Sequence, residues 1–288
     1  MTSADLRANP DNFCYRHPDR QSFVLCQRCL RTICPECQTQ LPVGVICPEC
    51  LAEQRAEQQA NLKQTRARMP RARVGSGARS GAPIVTYILM GITSAFYLLG
   101  LIPGFGATLQ SLLAYWPPLS FAQPWRLLTV TLVHASPWHI VLNMLSLWAL
   151  GRVLEPLLGR WRYLALYVLS ALGGSVLTAL IAPNIVVVGA SGAIWGLLGA
   201  VFVVGRHLGA NVTPIAILLV LNLVLTFLPG SNIAWQAHIG GGLTGALIGF
   251  VFARTRAIRQ QRTQVWLLVA VGVGLVALLG VSAAVYGW

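Results

Sequence analysis

The chain has 288 residues, of which 55% are hydrophobic and only 10% charged, against about 25% charged in an ordinary soluble protein. It carries 21 Lys+Arg and 8 Asp+Glu, a formal net charge of +13; seven of the acids lie at or before Glu57 and the eighth is Glu155. These figures exclude an ordinary soluble enzyme and any chemistry needing paired carboxylates in the second half, and in so apolar a chain they favour a membrane surface over nucleic acid.

In chain order, residues 1–50 are polar and hold all seven cysteines. Residues 51–82 form a basic linker, expected to be helical at its Ala/Gln/Glu start and flexible through its Gly/Ser/Arg end. From Pro83 onward, apolar stretches alternate with short basic or Pro/Gly-rich breaks. Seven stretches approach the roughly 20 residues a membrane helix needs: 84–103, 137–151, 163–182, 191–205, 213–229, 235–253 and 265–286. No short apolar segment with a cleavage site precedes them, so no signal peptide is expected and the first helix must direct insertion.

Basic residues orient these spans. Lys63, Arg66, Arg68, Arg71, Arg73 and Arg79 precede the first, so the N-terminus is expected in the cytoplasm. The cytoplasmic connections then hold Arg152, Arg160, Arg162, Arg206, Arg254, Arg256, Arg259 and Arg262, and the outer ones only Arg126. A multi-pass protein of the cell membrane with an extracytoplasmic C-terminus follows.

The cysteine spacing is Cys14-x2-His17, Cys26-x2-Cys29, Cys34-x2-Cys37 and Cys47-x2-Cys50. Seven cysteines in disulfides would leave one unpaired, and the topology puts them in a reducing compartment. With His17 they make eight ligands in four pairs, the count for two tetrahedral zinc ions. Closed four-ligand sites are structural, substituting for a core that about 50 residues cannot build, and no cofactor is expected for catalysis. The pattern resembles a B-box or related cross-brace zinc finger. That resemblance implies that Cys14, His17, Cys34 and Cys37 share one ion and Cys26, Cys29, Cys47 and Cys50 the other; the spacing itself leaves sequential pairing open. A protein partner or regulator of this domain is consistent with such a fold, and nothing in the sequence names it.

Ionisable groups at membrane depth are costly and each is a functional hypothesis. His207, beside Arg206, reads as solvated. Ser191, in Gly189-Ala190-Ser191-Gly192, taken alone reads as a packing serine among small residues. His238 heads a stripe with Gly241 and Gly245 at i, i+3 and i+7. Ser191 lies fifteen residues before Arg206 and His238 sixteen before Arg254, which places them roughly 22 and 24 Å above their cytoplasmic charges. A serine and a histidine at one depth on adjacent helices form a nucleophile and its general base. No carboxylate follows Glu155, so a dyad is all that these residues supply. His139 and Asn143, at i and i+4 near an outer helix end, can donate to an oxyanion together with the Ser191 N–H, or can be a buried pair holding two helices together. His134 reads as structural, bonding a loop carbonyl. The segment from Pro183 to Gly189 must dip below the surface, which irregular backbone tolerates only where it is covered by protein or lines a wet cavity.

From about Pro83 to Arg254 the chain resembles the rhomboid intramembrane serine proteases. Four motifs carry the resemblance: Gln123-x-Trp125-Arg126-x-x-Thr129, His134 with His139-x-x-x-Asn143, Gly189-x-Ser191-Gly192, and Ala237-His238-x-x-Gly241-x-x-x-Gly245. It implies an all-α polytopic fold, a six-helix bundle plus a C-terminal seventh helix, after a small zinc-binding domain. The divisions are 1–50 zinc domain, 51–82 linker, 83–255 protease core, and 256–288 basic loop with the added helix. It implies Ser191 as nucleophile, His238 as base, His139 and Asn143 as oxyanion donors, and Gly189, Gly241, Trp125 and Arg126 in support. Trp195 stands where the family often has Tyr stacking under the histidine, and Glu155 matches a structural carboxylate pinning the cytoplasmic loop. The seventh helix is assigned no chemistry. Single-span membrane proteins with small or helix-destabilising residues near the cut are the implied substrates, met in the bilayer. His238 must be neutral to act, so activity should fall with pH. A non-catalytic relative that binds or escorts membrane clients is the alternative, and a transporter a more distant one.

Overall fold

Sulfur replaces aliphatic side chains in the core of the N-terminal part of the chain. The computed structural model describes residues 9–41, 43–68, 82–226 and 233–288, and the chain separates into two compact units, Met1–Ser76 and Gly77–Trp288. The Gly/Ser/Arg end of the linker up to residue 81, and the expected end of the fifth span at 227–229, lie outside the described residues.

In the first unit β1 (Phe13–Cys14) pairs antiparallel with β2 (His17–Gln21), and β3 (Thr39–Gln40) with β4 (Val45–Ile46). Strands this short cannot bury a face by themselves. The buried core consists of Cys14, Cys26, Cys34, Cys37, Cys47 and Cys50, with Ile33 and Ile46 as its aliphatic members. Helix α1 (Pro48–Arg68) begins inside the last knuckle, so the start of the linker is helical as expected. It is tied back where Arg28 Nη2 donates to Glu57 Oε1 at 2.7 Å.

The second unit is a helix bundle. Helix α2 (Ile84–Gly100) is followed by α3 (Phe105–Leu113) and the single turn α4 (Arg126–Thr129). Next come α5 (Pro137–Leu158), α6 (Arg160–Ile181), α7 (Ser191–His207), α8 (Thr213–Thr226), α9 (Trp235–Arg254) and α10 (Gln261–Tyr286). Among the described residues, four stretches are long and apolar enough to cross a membrane: Pro137–Leu158, Arg160–Ile181, Trp235–Arg254 and Ile258–Tyr286. Helices α2 and α7 have 17 residues each, about 26 Å of helix, slightly less than a hydrocarbon core of about 30 Å.

Helix boundaries have local causes. The Ser136 hydroxyl caps α5 by accepting from the His139 N–H at 3.2 Å, with Pro137 in the first turn. Pro156 and then Gly159, at φ +85°, end α5 and turn the chain directly into α6. Glu155, 3% exposed, accepts from the Val85 and Thr86 N–H groups at 2.9 and 2.8 Å and from the Thr86 hydroxyl at 2.8 Å. This refines the expectation that it pins a cytoplasmic loop. It holds the N-terminus of α2, where a carboxylate satisfies two orphan amides and complements the helix dipole.

Helix α7 is the centre of the bundle, buried continuously from Gly192 to Ala200. Leu197 packs with Leu147, Leu154, Tyr163, Leu166 and Ile248 in the main apolar core. Helix α9 lies against α7 so closely that a Cβ on Gly241 would overlap the Gly192 carbonyl. Small residues at these positions provide the close van der Waals contact that drives helix association in lipid. Exposed Leu142 and Leu145 on α5, Leu218 and Leu221 on α8, and Val273 and Val276 on α10 form an outer apolar surface suited to lipid. Helix α10, expected only as an added span, is attached through polar groups. Arg162 Nε donates to Gln264 Oε1 at 2.6 Å, and the Ser282 hydroxyl donates to the Ala179 carbonyl at 2.7 Å.

Candidate active site and metal centres

Ser191 is the first residue of α7 and His238 the fourth of α9. The close packing of these helices brings His238 Nε2 to 2.9 Å from Ser191 Oγ. The imidazole is buried and lies flat on Trp195, with ring centroids 5.1 Å apart and planes inclined by 18°. Trp195 thus fills the stacking position under the histidine that the motif comparison associates with Tyr.

The turn before Ser191 is held from three sides. The Gly189 N–H donates to the Val130 carbonyl at 2.9 Å, and the Ala190 N–H to His134 Nε2 at 3.4 Å. Upstream, Tyr115 and Val187 exchange two backbone bonds at 2.9 and 2.8 Å. These bonds pair the backbone of the irregular segment at Val187, Gly189 and Ala190, while Asn184 and Val186 stay exposed. His134, expected to bond a loop carbonyl, accepts at Nε2 from the Ala190 amide. The reason is that Ala190 is the N-cap of α7, where amides and not carbonyls lack partners.

Gly189 has φ +116°, and a Cβ there would lie 2.6 Å from the His139 ring. His139 is thereby seated directly against the turn that presents Ser191. Asn143, 6% exposed, donates one Nδ2 hydrogen to the His139 carbonyl at 2.8 Å; a primary amide keeps a second donor. The α7 N-terminus has no side-chain cap, so its first amides and the positive end of its dipole face the same region. A small cavity lies beside Gly189 and Gly192, lined mainly by apolar side chains and glycines, with the Thr131, Ser175 and Thr178 hydroxyls bonded to backbone carbonyls.

The Gln-x-Trp-Arg-x-x-Thr motif has a definite local job. Trp125 Nε1 donates to the Leu112 carbonyl at 3.1 Å, Arg126 Nη1 to Ala114 at 2.7 Å, and the Thr129 hydroxyl to Leu113 at 3.0 Å. Arg126 also donates to the Ser111 carbonyl and to Gln123 Oε1. The motif collects the unpaired carbonyls at the end of α3 and sets a guanidinium at the negative end of its dipole. Trp125 and Arg126 hold the segment between α3 and α5 in this way.

The sequence reading missed Thr226, the last described residue of α8. Its hydroxyl oxygen lies 3.3 Å from His238 Nδ1, on the ring edge opposite Ser191. No periodic or motif signal marks it, since its neighbour is twelve positions on, in another helix.

In the first unit Cys14, His17, Cys34 and Cys37 gather in one cluster and Cys26, Cys29, Cys47 and Cys50 in another, each with ligand atoms within 4.8 Å of one another. The geometry is the cross-braced one and not the sequential one. His17 turns Nδ1 towards Cys34 and Cys37 at 3.3 and 3.4 Å. Arg31, whose Nε donates to Cys29 Sγ at 3.3 Å, draws the Cys29 thiol down to about 6. Burial and then the neighbouring Cys47 and Cys29 sulfurs push Cys50 up to about 12. Four sulfurs this close cannot all be thiolates unless a cation joins them. Three cysteines with a histidine in one cluster, and four cysteines in the other, are donor sets that fit a metal ion.

A family profile described as Rhomboid domain matches residues 122–255. The rhomboid protease GluP of Bacillus subtilis is 30% identical over 227 residues, covering 74% of this chain and 43% of the relative. YdcA of the same organism, which carries a provisional rhomboid-protease name, is 32% identical over 184 residues, 62% of this chain and 92% of the relative. RHOMBOID-like protein 4 of Arabidopsis thaliana is 37% identical over 134 residues, 44% of this chain and 34% of the relative. The chain thus spans less than half the length of GluP and of this plant relative, and nearly all of YdcA.

Proposed function

The chain belongs to the rhomboid family, and from that premise we propose that it is an intramembrane serine endopeptidase working through Ser191 and His238. The observation that carries the reading is the 2.9 Å contact between Ser191 Oγ and His238 Nε2 across two closely packed membrane helices. In the proposed cycle Ser191 Oγ attacks a substrate carbonyl while His238 Nε2 accepts its proton. The tetrahedral oxyanion is stabilised by the Ser191 N–H at the α7 N-terminus, by the His139 imidazole and by the second Nδ2 hydrogen of Asn143. His238 then protonates the leaving amine, an acyl-enzyme remains, and water activated by the same imidazole releases it.

The substrates are single-span membrane proteins with small or helix-destabilising residues at the cut, because a peptide bond inside an intact helix is not accessible to attack. The distribution of basic residues supports a cytoplasmic N-terminus and an active site towards the outer leaflet of the cell membrane. Zinc fills both clusters of the N-terminal domain as a structural ion: all donors are Cys or His, four to a site, with no open position for a reacting group.

A fluorophosphonate probe on the purified protein tests this reading. Wild type should label, and Ser191→Ala and His238→Ala should lose the signal by more than about a hundredfold. Labelling that persists in Ser191→Ala, or a wild type that never labels, sinks the proposal and favours a client-binding role. The labelling rate should fall as the solution is acidified, because only a neutral imidazole can accept the serine proton.

A further inference from the structure

Beside the dyad there is a group that the mechanism above does not use. Thr226, 4% exposed, is the last described residue of α8, and its hydroxyl meets both Asn222 and His238. It lies 2.8 Å from the Asn222 carbonyl oxygen and 3.3 Å from His238 Nδ1. A carbonyl oxygen only accepts, so the single hydroxyl proton of Thr226 is committed to Asn222. Towards His238 the oxygen can then only accept, and Nδ1 must carry the hydrogen. In a neutral imidazole that leaves Nε2 with its lone pair, and Nε2 is the atom 2.9 Å from Ser191 Oγ.

We propose that Thr226 is the positioning residue of the catalytic base: a neutral acceptor that fixes His238 in the Nδ1–H tautomer and holds its Nε2 lone pair on Ser191. This rests on the protease reading and deepens it. Thr226 meets His238 on the ring edge opposite Ser191, so its effect on the reaction passes through His238. It occupies the place a carboxylate takes in a three-residue Ser-His-acid arrangement. The choice of a hydroxyl has a physical reason. A carboxylate buried among apolar helices would bear a large desolvation cost, whereas a hydroxyl whose own proton is satisfied orients the ring without a charge. Trp195 below the ring and Thr226 at its edge together leave the imidazole one orientation, the first by stacking and the second by direction.

Two measurements on the full-length protein test the assignment. The first is the ring-nitrogen NMR spectrum of wild type carrying 15N-histidine, with the His238 signals assigned by their disappearance in His238→Gln. A protonated Nδ1 and an unprotonated Nε2 support the proposal; the reverse tautomer overturns it whether or not the Thr226 variants fold. The second is saturation kinetics of fluorophosphonate inactivation in wild type, Thr226→Val and Thr226→Ser. Loss of one neutral hydrogen bond should slow the maximal inactivation rate of Thr226→Val about three- to tenfold. The half-saturating probe concentration should stay unchanged, and Thr226→Ser should recover the wild-type rate. A Thr226→Val rate equal to wild type, a serine variant as slow as the valine, or a loss confined to probe binding each overturns the role of Thr226 while leaving the dyad standing. Wild type that fails to label at all overturns the protease reading instead.

Discussion

At the scale of single residues, Gly189 shows how much of the site depends on backbone. Its φ of +116° is accessible to glycine and strained for any other residue, and the space of its missing Cβ is taken by the His139 ring. Gly189→Ala should therefore cost about 1–3 kcal/mol in backbone strain and displace His139 from the turn that presents Ser191. The expected outcome is a labelling rate reduced tenfold or more with a folded protein, measured as inactivation rate alongside thermal unfolding; an alanine variant with wild-type rate would show that His139 need not sit where it does. The Ser191 and His238 positions were legible in sequence because helical rise alone puts them at one depth. Thr226 was not, because its relation to His238 depends on how α8 comes to rest against α9, and no spacing within one helix encodes that.

At the scale of elements, the short helices and tight turns are held by side chains acting on helix ends. Arg126, Trp125 and Thr129 close the C-terminus of α3, and Glu155 closes the N-terminus of α2 from the far end of α5. Glu155→Gln keeps the size but exchanges one accepting oxygen for an NH2 group that faces amide donors. It should destabilise the membrane unit by about 2 kcal/mol, the range of a lost hydrogen bond to a charged group. Thermal unfolding in detergent measures this, and an unchanged midpoint would mean that water replaces the carboxylate at the start of α2. The α7–α9 contact is the element on which the site turns, since glycine at 241 allows the approach that a side chain would block.

At the scale of the whole molecule, two units carry separate cores, one built on sulfur and one on aliphatic side chains. Their stabilities should therefore respond to different reagents. Metal analysis is expected to give two zinc ions per chain, and chelation to unfold the N-terminal domain, because metal binding there supplies folding free energy. Hydrogen exchange over residues 13–50 should rise on chelation while labelling of Ser191 stays within about twofold. Fewer than two ions per chain would refute the eight-ligand assignment, and labelling that vanished with the metal would refute the independence of the units.

The sequence by itself determined which segments are apolar enough to sit in a membrane, which eight side chains are spaced as metal ligands, and which serine and histidine share a depth. Each of these is a local or single-axis property, set by spacing along one strand or one helix. Only the tertiary structure decided the partner of each group across the fold: the cross-braced grouping of the knuckles, His134 on the Ala190 amide, Glu155 on the start of α2, and Thr226 on His238. Hydrogen bonds and metal clusters need their atoms within about 3 to 5 Å, and residues distant in sequence meet at that range only through the packing of whole elements.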